Sequence, residues 1–333
     1  MTDVTSDAAS VQSWKTRSRR CEVIMNTFIS EISDFLRESG FDCVADSRGG
    51  MSVFWVEAPV RRCIVPWPIV AESTEEAQEQ AQKMEKLLKE LSAEDGIPII
   101  IPEDRWHRQR EMMQARLLAH LEVFVPMFAR NCEVRKIDKE TAAEFLDRNH
   151  SYGDAACKYR YGLYLKRYTG KRMEISRQAR NDSGGTQPQP GTLVAVATFS
   201  NARKWQKGEK LIRSYEWTRY TSLPGVRING GMGKMLKAFI KDVQPDDIMS
   251  YADLEWSEGA VYEQLGFSLE GQKAPVLFVV DEQWGRFPVG PGMTRKAGLG
   301  MTEGAIDSHD RTASRYLQNL GSNKYRLKLT EYE

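Results

Sequence analysis

The stretch RINGGMGKMLKAF, Arg227 to Phe239, decides how the rest of the chain is read. Gly230, Gly231 and Gly233 crowd a single turn that opens onto an amphipathic helical pattern. A helix N-terminus carries unpaired backbone N–H groups and a partial positive charge, so it attracts anions. Glycine lets the backbone come close to such an anion, because no Cβ intervenes. The same glycines equally suit a tight strand-to-helix corner that holds nothing. Two common phosphate motifs fail on spacing. A nucleotide P-loop needs Gly six residues before its Lys, and Ile228 stands there before Lys234. The dinucleotide fingerprint does not fit either, and no ribose-binding acid follows at the right distance.

Working outward, NCEVRKID reads as a strand, and DKETAAEFLDRNHSYG as a helix capped by Asp138 or Thr141 with Gly153 beyond its end. YRYGLYLKRY and GTLVAVATFS alternate as strands do, around a polar Gly/Pro-broken loop, 169–191, expected to be flexible. KLIRSYEWTRYTSL is a further strand leading to the glycine turn. DIMSYADL is the strand after its helix, SEGAVYEQLGF a short helix ending at Gly266, and APVLFVVD a closing strand. Past Trp284 the chain turns glycine-rich, then ends in a helix and the strand-like KYRLKLTEY, so 286–333 is expected to pack on the preceding domain.

Upstream, CEVIMNTFISEISDFLRESG spaces Ile24, Phe28, Ile32 and Phe35/Leu36 helically, with Gly40 as its C-terminal glycine. MSVFWVEAP and RRCIVPWPIV follow as strands. A helix capped by Ser73 runs to Gly96, then come the strand IPIIIPED and the helix RWHRQREMMQARLLAHLEVFV. The region 21–128 is thus expected to be a small α/β domain, 1–20 a polar disordered segment, and 129–285 a second domain. With 333 residues the chain is comfortable for two domains. Its 41% apolar and 28% charged content is that of a soluble globular protein, and a net charge of +1 gives no bulk case for a nucleic-acid or membrane partner. Five scattered cysteines without a CxxC pair read as reduced thiols, and no run approaches ~18 apolar residues or a signal peptide core. A cytoplasmic protein with no membrane span and no metal is expected.

From Cys132 to Asp281, the turn, the strand after it and the ending Tyr262-x-x-x-Gly266-Phe267 together resemble a GNAT-type N-acetyltransferase. The resemblance implies an α/β (α+β) chain whose second domain is a mixed sheet binding acetyl-CoA or another acyl-CoA. The pyrophosphate would sit on the amides of Asn229, Gly230, Gly231, Met232, Gly233 and Lys234, with charge from Arg227 and Lys234. The thioester would lie where the strand around Ile212–Tyr220 splays from the strand around Ile248–Tyr251. Tyr262 falls where a general acid for the leaving thiolate is found. Glu216 is the candidate base for an unidentified amine acceptor; its alternative is a surface carboxylate paired with Arg213 or Arg219.

A narrower likeness is to a GNAT-like domain that follows homing- or Vsr-type endonuclease modules in phage and mobile-element proteins. It rests on Asn149, His150, Gly153, Glu216, Arg219, Gly230, Gly231, Ser250, Tyr251, Ala252, Asp253, Trp256, Ser257, Gly259 and Tyr262. Tyr152 departs from it, standing where Gln is usual. His150, Tyr251, Asp253 and Ser257 are candidates for the acceptor side of the cleft. His150 could instead close its helix, where a positive charge suits the dipole, and Ser257 could cap the short helix. The N-terminal domain resembles such a nuclease degenerated: Glu57 and Glu72 stand without a D…(D/E)-x-K arrangement for Mg²⁺. The function implied is acyl-CoA-dependent N-acyl transfer by a monomer or homodimer. The alternative is a non-catalytic module that binds nucleic acid or protein, with the gap filled by Trp217, Met232 or Tyr251.

Overall fold

The structure, a computed structural model, describes residues 27–57, 59–95, 98–167, 188–289 and 315–332. It is a mixed α/β chain with several sheets, and seven α-helices fall among the described residues. The expected disordered N-terminus, Cys21, most of the 169–191 loop and most of the glycine-rich segment lie outside those residues.

The first half opens with α1 (Thr27–Glu38), which ends where Gly40, at φ +86°, lets Phe41 N–H reach Leu36 O at 2.9 Å. A hairpin of β1 (Cys43–Arg48) and β2 (Met51–Val56) runs into β3 (Arg62–Trp67). Helix α2 (Thr74–Asp95), capped by Ser73 Oγ on Glu76 N–H, crosses over to the parallel strand β4 (Ile99–Pro102). Strand β1 was not among the expected elements, because its polar, half-exposed CVADSR carries no alternating apolar signal. Both faces of this sheet are covered: Phe54, Val56, Ile64 and Ile101 on one side, Val53, Trp55, Val65 and Trp67 on the other.

The single helix expected over RWHRQREMMQARLLAHLEVFV is two, α3 (Glu103–Arg108) and α4 (Arg110–His120), broken at Gln109. The break lets α3 turn Asp104, Arg105 and Trp106 inward while α4 buries Met113, Leu117 and Leu118 on its own axis. Strand β5 (Val125–Phe128) and a 3₁₀ turn, Ala129–Asn131, lead into the second half.

There β6 (Cys132–Lys136), α5 (Lys139–Asn149), β7 (Tyr159–Leu165), β8 (Leu193–Phe199), β9 (Arg203–Lys207), β10 (Lys210–Ser222), β11 (Val226–Asn229), α6 (Gly231–Val243) and β12 (Asp247–Asp253) follow in order. Asp138 caps α5 by accepting from Thr141 N–H at 2.7 Å, as its position implied. Then come α7 (Ala260–Gln264), β13 (Ser268–Lys273), β14 (Leu277–Val280), β15 (Arg286–Pro288), β16 (Arg315–Gln318) and β17 (Ser322–Lys328). The large sheet runs β13-β17-β12-β10-β8-β7-β6, with β9 paired to β10. Helix α6 covers one face, where Phe239 stacks on Phe199 at 3.8 Å among Tyr161, Tyr215 and Trp217. Helix α5 covers the other with Ala142, Phe145 and Leu146 against Val196.

Two expectations are corrected. APVLFVVD does not close the large sheet: β14 sits in a separate three-stranded sheet, β15-β14-β16, and the terminal KYRLKLT strand, β17, inserts between β12 and β13. The segment Arg315–Gln318 is strand and packs on α2 of the first half, where Val280, Leu317 and Leu320 complete the core around Met84 and Leu91. The cause is burial: the second face of the first sheet is apolar and α2 alone does not cover it.

A buried ion network ties the halves. Arg286 spans Asp104 of α3 and both oxygens of Glu255, at 3.0 and 2.7 Å. Arg105, with a side chain only 5% exposed, lies 2.9 Å from Asp253 and 3.2 Å from Glu255. Removing one partner of such a pair strands the other charge in low dielectric. Arg286→Ala is therefore expected to cost about 3–5 kcal/mol in urea unfolding. Arg37→Ala, at an exposed ion pair with Asp34, should cost well under about 1 kcal/mol.

Candidate active site at the parting of β10 and β12

Strands β10 and β12 run parallel, and their register is confined to Ser214–Glu216 against Asp247–Met249. One residue later the strands are joined by a side chain: Ser250 Oγ lies 3.0 Å from Trp217 O and 2.8 Å from Tyr262 Oη. A serine has one proton to give, and the carbonyl can only accept. When Ser250 donates to Trp217, the Tyr262 phenol must be the donor to Ser250. Helix α7 brings Tyr262 here because Gly259, at φ +93°, turns the chain where a Cβ would strike Tyr325 at 2.6 Å. Tyr262 then stacks on Tyr325 at 5.2 Å, edge-on to Trp217. Burial raises its pKa above the usual phenol value.

Just past the parting, β10 bulges. Trp217 faces Phe199 and Arg219 faces Thr198, so Thr218 has no partner in β8. Its hydroxyl fastens the bulge, donating to Thr198 O at 2.9 Å. The extra residue changes which face each later side chain occupies. Trp217 and Tyr220 share the α6 face at 6.0 Å, and Arg219 turns to the α5 face. There its guanidinium donates to Gly153 O and Thr218 O, at 3.0 and 2.8 Å.

The glycine turn lies on the α6 side. Gly230 is the N-cap of α6 in the left-handed region, φ +76°, with no side chain capping the first amides. A Cβ on Gly231 would meet Tyr220 Oη at 2.9 Å and Ile228 Cγ2 at 3.1 Å, so this glycine also serves packing. The turn is tied to the first half by β11, which pairs with β5 and sets the exposed Asn229 opposite Phe128. Met232 packs on the core. The charges expected at the turn work elsewhere. Lys234 Nζ donates to Ala129 O and Cys132 O, at 2.8 and 2.5 Å, and Arg227 is exposed over Phe124, 3.9 Å from Glu122.

On the α5 side the structure brings together two of the four acceptor-side candidates, His150 and Asp253, through Tyr152. Asp253 accepts from Tyr152 Oη at 2.8 Å and from Arg105 at 2.9 Å. Burial works against its ionised form, but Arg105 and the Tyr152 bond outweigh it and hold Asp253 below the ordinary carboxyl value. His150, the C-cap of α5, accepts from Tyr152 N–H through Nδ1 at 3.1 Å. Burial and the nearby Arg219 and Arg105 charges push it down to about 3, so it ends the helix as a neutral imidazole rather than a cation. Tyr251 stands on the same strand with Lys273 5.6 Å from its ring. Ser257 is not brought in: it is exposed, its backbone N–H closes a turn onto Asp253 O, and the cap of α7 is Gly259. Glu216 makes no ion pair among the described residues; Arg213 pairs with Asp246 instead.

Trp217 is buried in the α6-face core beside Phe199 and Phe267, and Tyr251 lies on the opposite face from it. The residues missed in the sequence are Ser250, Tyr152 and Arg105. Ser250 and Tyr152 sit inside quoted motifs, but their partners are 12 and 101 residues away. Arg105 gave no signal, since an arginine on a short helix reads as surface. In the first half, Glu57 pairs with Arg61, Glu72 N–H donates to Glu76, and no His/Cys/Asp/Glu cluster among the described residues is spaced to hold a metal. No helix among them is long and apolar enough to cross a membrane. No protein-family model matches the chain, and a search of curated proteins finds no match to it.

His150 supplies a direct check. Its folded pKa is depressed, so the unfolded chain binds the extra proton between about pH 6.5 and 3. Its contribution to stability is present above the unfolded value and is lost as pH falls below it. In a proton-NMR titration His150 is expected to stay neutral at pH 5; titration near 6.5 would contradict its burial between the arginines.

Proposed function

We propose that the protein transfers an acyl group from an acyl-CoA to an amine. The observation that carries this is the parting of β10 and β12, flanked by the uncapped amides of α6 on one side and Tyr262 on the other. The amides of Gly231, Met232 and Gly233 suit a pyrophosphate by charge and by lack of a cap. Lys234 and Arg227 are spent on other contacts, so the backbone carries this binding. When bound, the acyl-CoA supplies an activated acyl group with a thiolate leaving group. Backbone N–H groups at the Thr218 bulge polarise the carbonyl. As the nitrogen–carbon bond forms and the carbon–sulfur bond breaks, Glu216 takes the amine proton, directly or through water. Tyr262 Oη gives up a proton to the sulfur, and its raised pKa is offset when the sulfur is equally desolvated.

Calorimetry with acetyl-CoA is the first test. Binding on the order of micromolar is expected, lost in Gly231→Glu. Because a side chain there meets Tyr220, Asn229→Glu, at the exposed residue just before the turn, serves as the second variant: a carboxylate beside the first amides favours the helix yet repels an anion. Tyr262→Phe should keep binding and lower the rate of thiol release by roughly 10²-fold or more. Absence of binding at millimolar acetyl-CoA would overturn the proposal and favour a non-catalytic module.

A further inference from the structure

The α5 side of the parting is built from donors and acceptors in two separate places. Around Tyr152, a residue 45% exposed, the guanidinium carbons of Arg105 and Arg219 lie 4.9 and 5.8 Å from the ring centroid. Arg105 is nine-tenths buried, and its Nη1 has no hydrogen-bond partner among the described residues. That nitrogen is closed off from solvent and the guanidinium is already held by Asp253 and Glu255, so Arg105 fixes Tyr152 in this wall and offers no free donor of its own. Arg219 is fixed by two backbone carbonyls and makes no ion pair among the described residues. His150, neutral and accepting through Nδ1, presents Nε2–H as a further donor. Asp253 is already matched by Arg105 and Tyr152. The carboxylates that remain lie beside this wall: Glu216 on β10, and Asp154, whose buried Oδ1 has no partner. Arg219 stands three residues beyond Glu216 on the same strand, a span of about 10 Å along an extended chain before the bulge shortens it. The long arginine side chain bridges that span.

We propose that the acceptor is a small zwitterion: an amine with a carboxylate or phosphate on a neighbouring carbon. Its anionic group is held by Arg219 and His150 Nε2–H, and its amine is presented to Glu216. This rests on the acyl-transfer proposal and names the substrate class of the same site. Arg219 is a specificity-determining residue here, since it touches the end of the acceptor that does not react. An isolated amine leaves the donors unmatched, so discrimination comes from unpaired polar groups rather than from shape.

The test measures thiol release from acetyl-CoA with matched pairs. The L-amino acids are compared with their decarboxylated amines, and O-phosphoethanolamine with ethanolamine. At least one zwitterion is expected to exceed its amine by 10-fold or more in kcat/KM, and the carboxylate and phosphate arms tell the two anions apart. Arg219→Gln should remove that preference through KM while acetyl-CoA binding, read by calorimetry, stays unchanged; Arg219→Lys should restore part of it. Amines equal to their zwitterions, or a preference that survives Arg219→Gln, would overturn the inference and leave the acyl-transfer proposal standing. Release with neither member of any pair, by a chain that still binds acetyl-CoA, overturns it too. Failure to bind acetyl-CoA overturns both.

Discussion

The extra residue in β10 is the constraint on which the two sides of the site depend. Side chains on a strand alternate with a period of two, so one unpaired residue reverses every assignment after it. With Thr218 set aside, Trp217 and Tyr220 both reach the α6 face, and Tyr220 Oη closes over Gly231. Arg219 meanwhile reaches Gly153 beneath the end of α5. A regular strand would place Arg219 among Phe199 and Phe239 and leave Tyr220 on the far side of the sheet. The bulge is fastened twice, by the Thr218 hydroxyl on Thr198 O and by the 3.0 Å contact between the two threonine hydroxyls. The conformation of the glycine turn and the charge of the opposite wall are thus settled by the same register shift.

The second half of the chain does not form its site alone. Asp253 lies at the end of β12, and its partner Arg105 comes from the first half. Arg105 in turn shares Glu255 with Arg286, which returns to Asp104 beside Arg105. Such a buried ring contributes little net stability, because desolvation offsets most of the Coulomb attraction. Its effect is geometric: each guanidinium is held by more than one carboxylate, so the halves have one orientation in which every charge is matched. The orientation of α3 is thereby carried to Tyr152 and to the wall of the site.

Local chemistry was legible in the sequence, and long-range pairing was not. Asp138, Ser73 and Gly40 act where their positions place them, because capping depends on residues within one turn. The strands β2 to β4, β6 to β8, β10 and β12 and the short helix ending at Gly266 follow from periodicity, whereas the short or polar β1, β5, β9 and β11 do not. The place of β17 does not: KYRLKLT reads as a strand, but nothing local says that it enters between β12 and β13. The same holds for β14 and β16, whose apolar faces answer to α2 some two hundred residues earlier. Among the candidate residues, Glu216 and Tyr262 come from motifs, whereas Ser250 and Arg105 enter through partners that only the fold supplies. Lys234 shows the opposite error. A lysine behind a glycine turn suggests an anion, yet its ammonium satisfies two carbonyls of the 3₁₀ turn and the strand after it.

That assignment of Lys234 bears on what the glycines are for. Gly231 is required by Tyr220 and Ile228 whether or not a ligand binds, and Lys234 anchors the helix to the 3₁₀ turn and β6. An N-cap side chain would satisfy one first-turn amide, yet glycine in its place costs only a few tenths of a kcal/mol, so a corner needed only for packing tolerates it. Gly230 offers no such side chain, and the first amides of α6 are left to solvent or ligand beside the parting strands. The uncapped amides, rather than the count of glycines or the neighbouring lysine, are the feature of this turn on which the acyl-CoA proposal rests. Their charge is fixed in place by the backbone, so it is present before any anion arrives and requires no side chain to reorganise when one does.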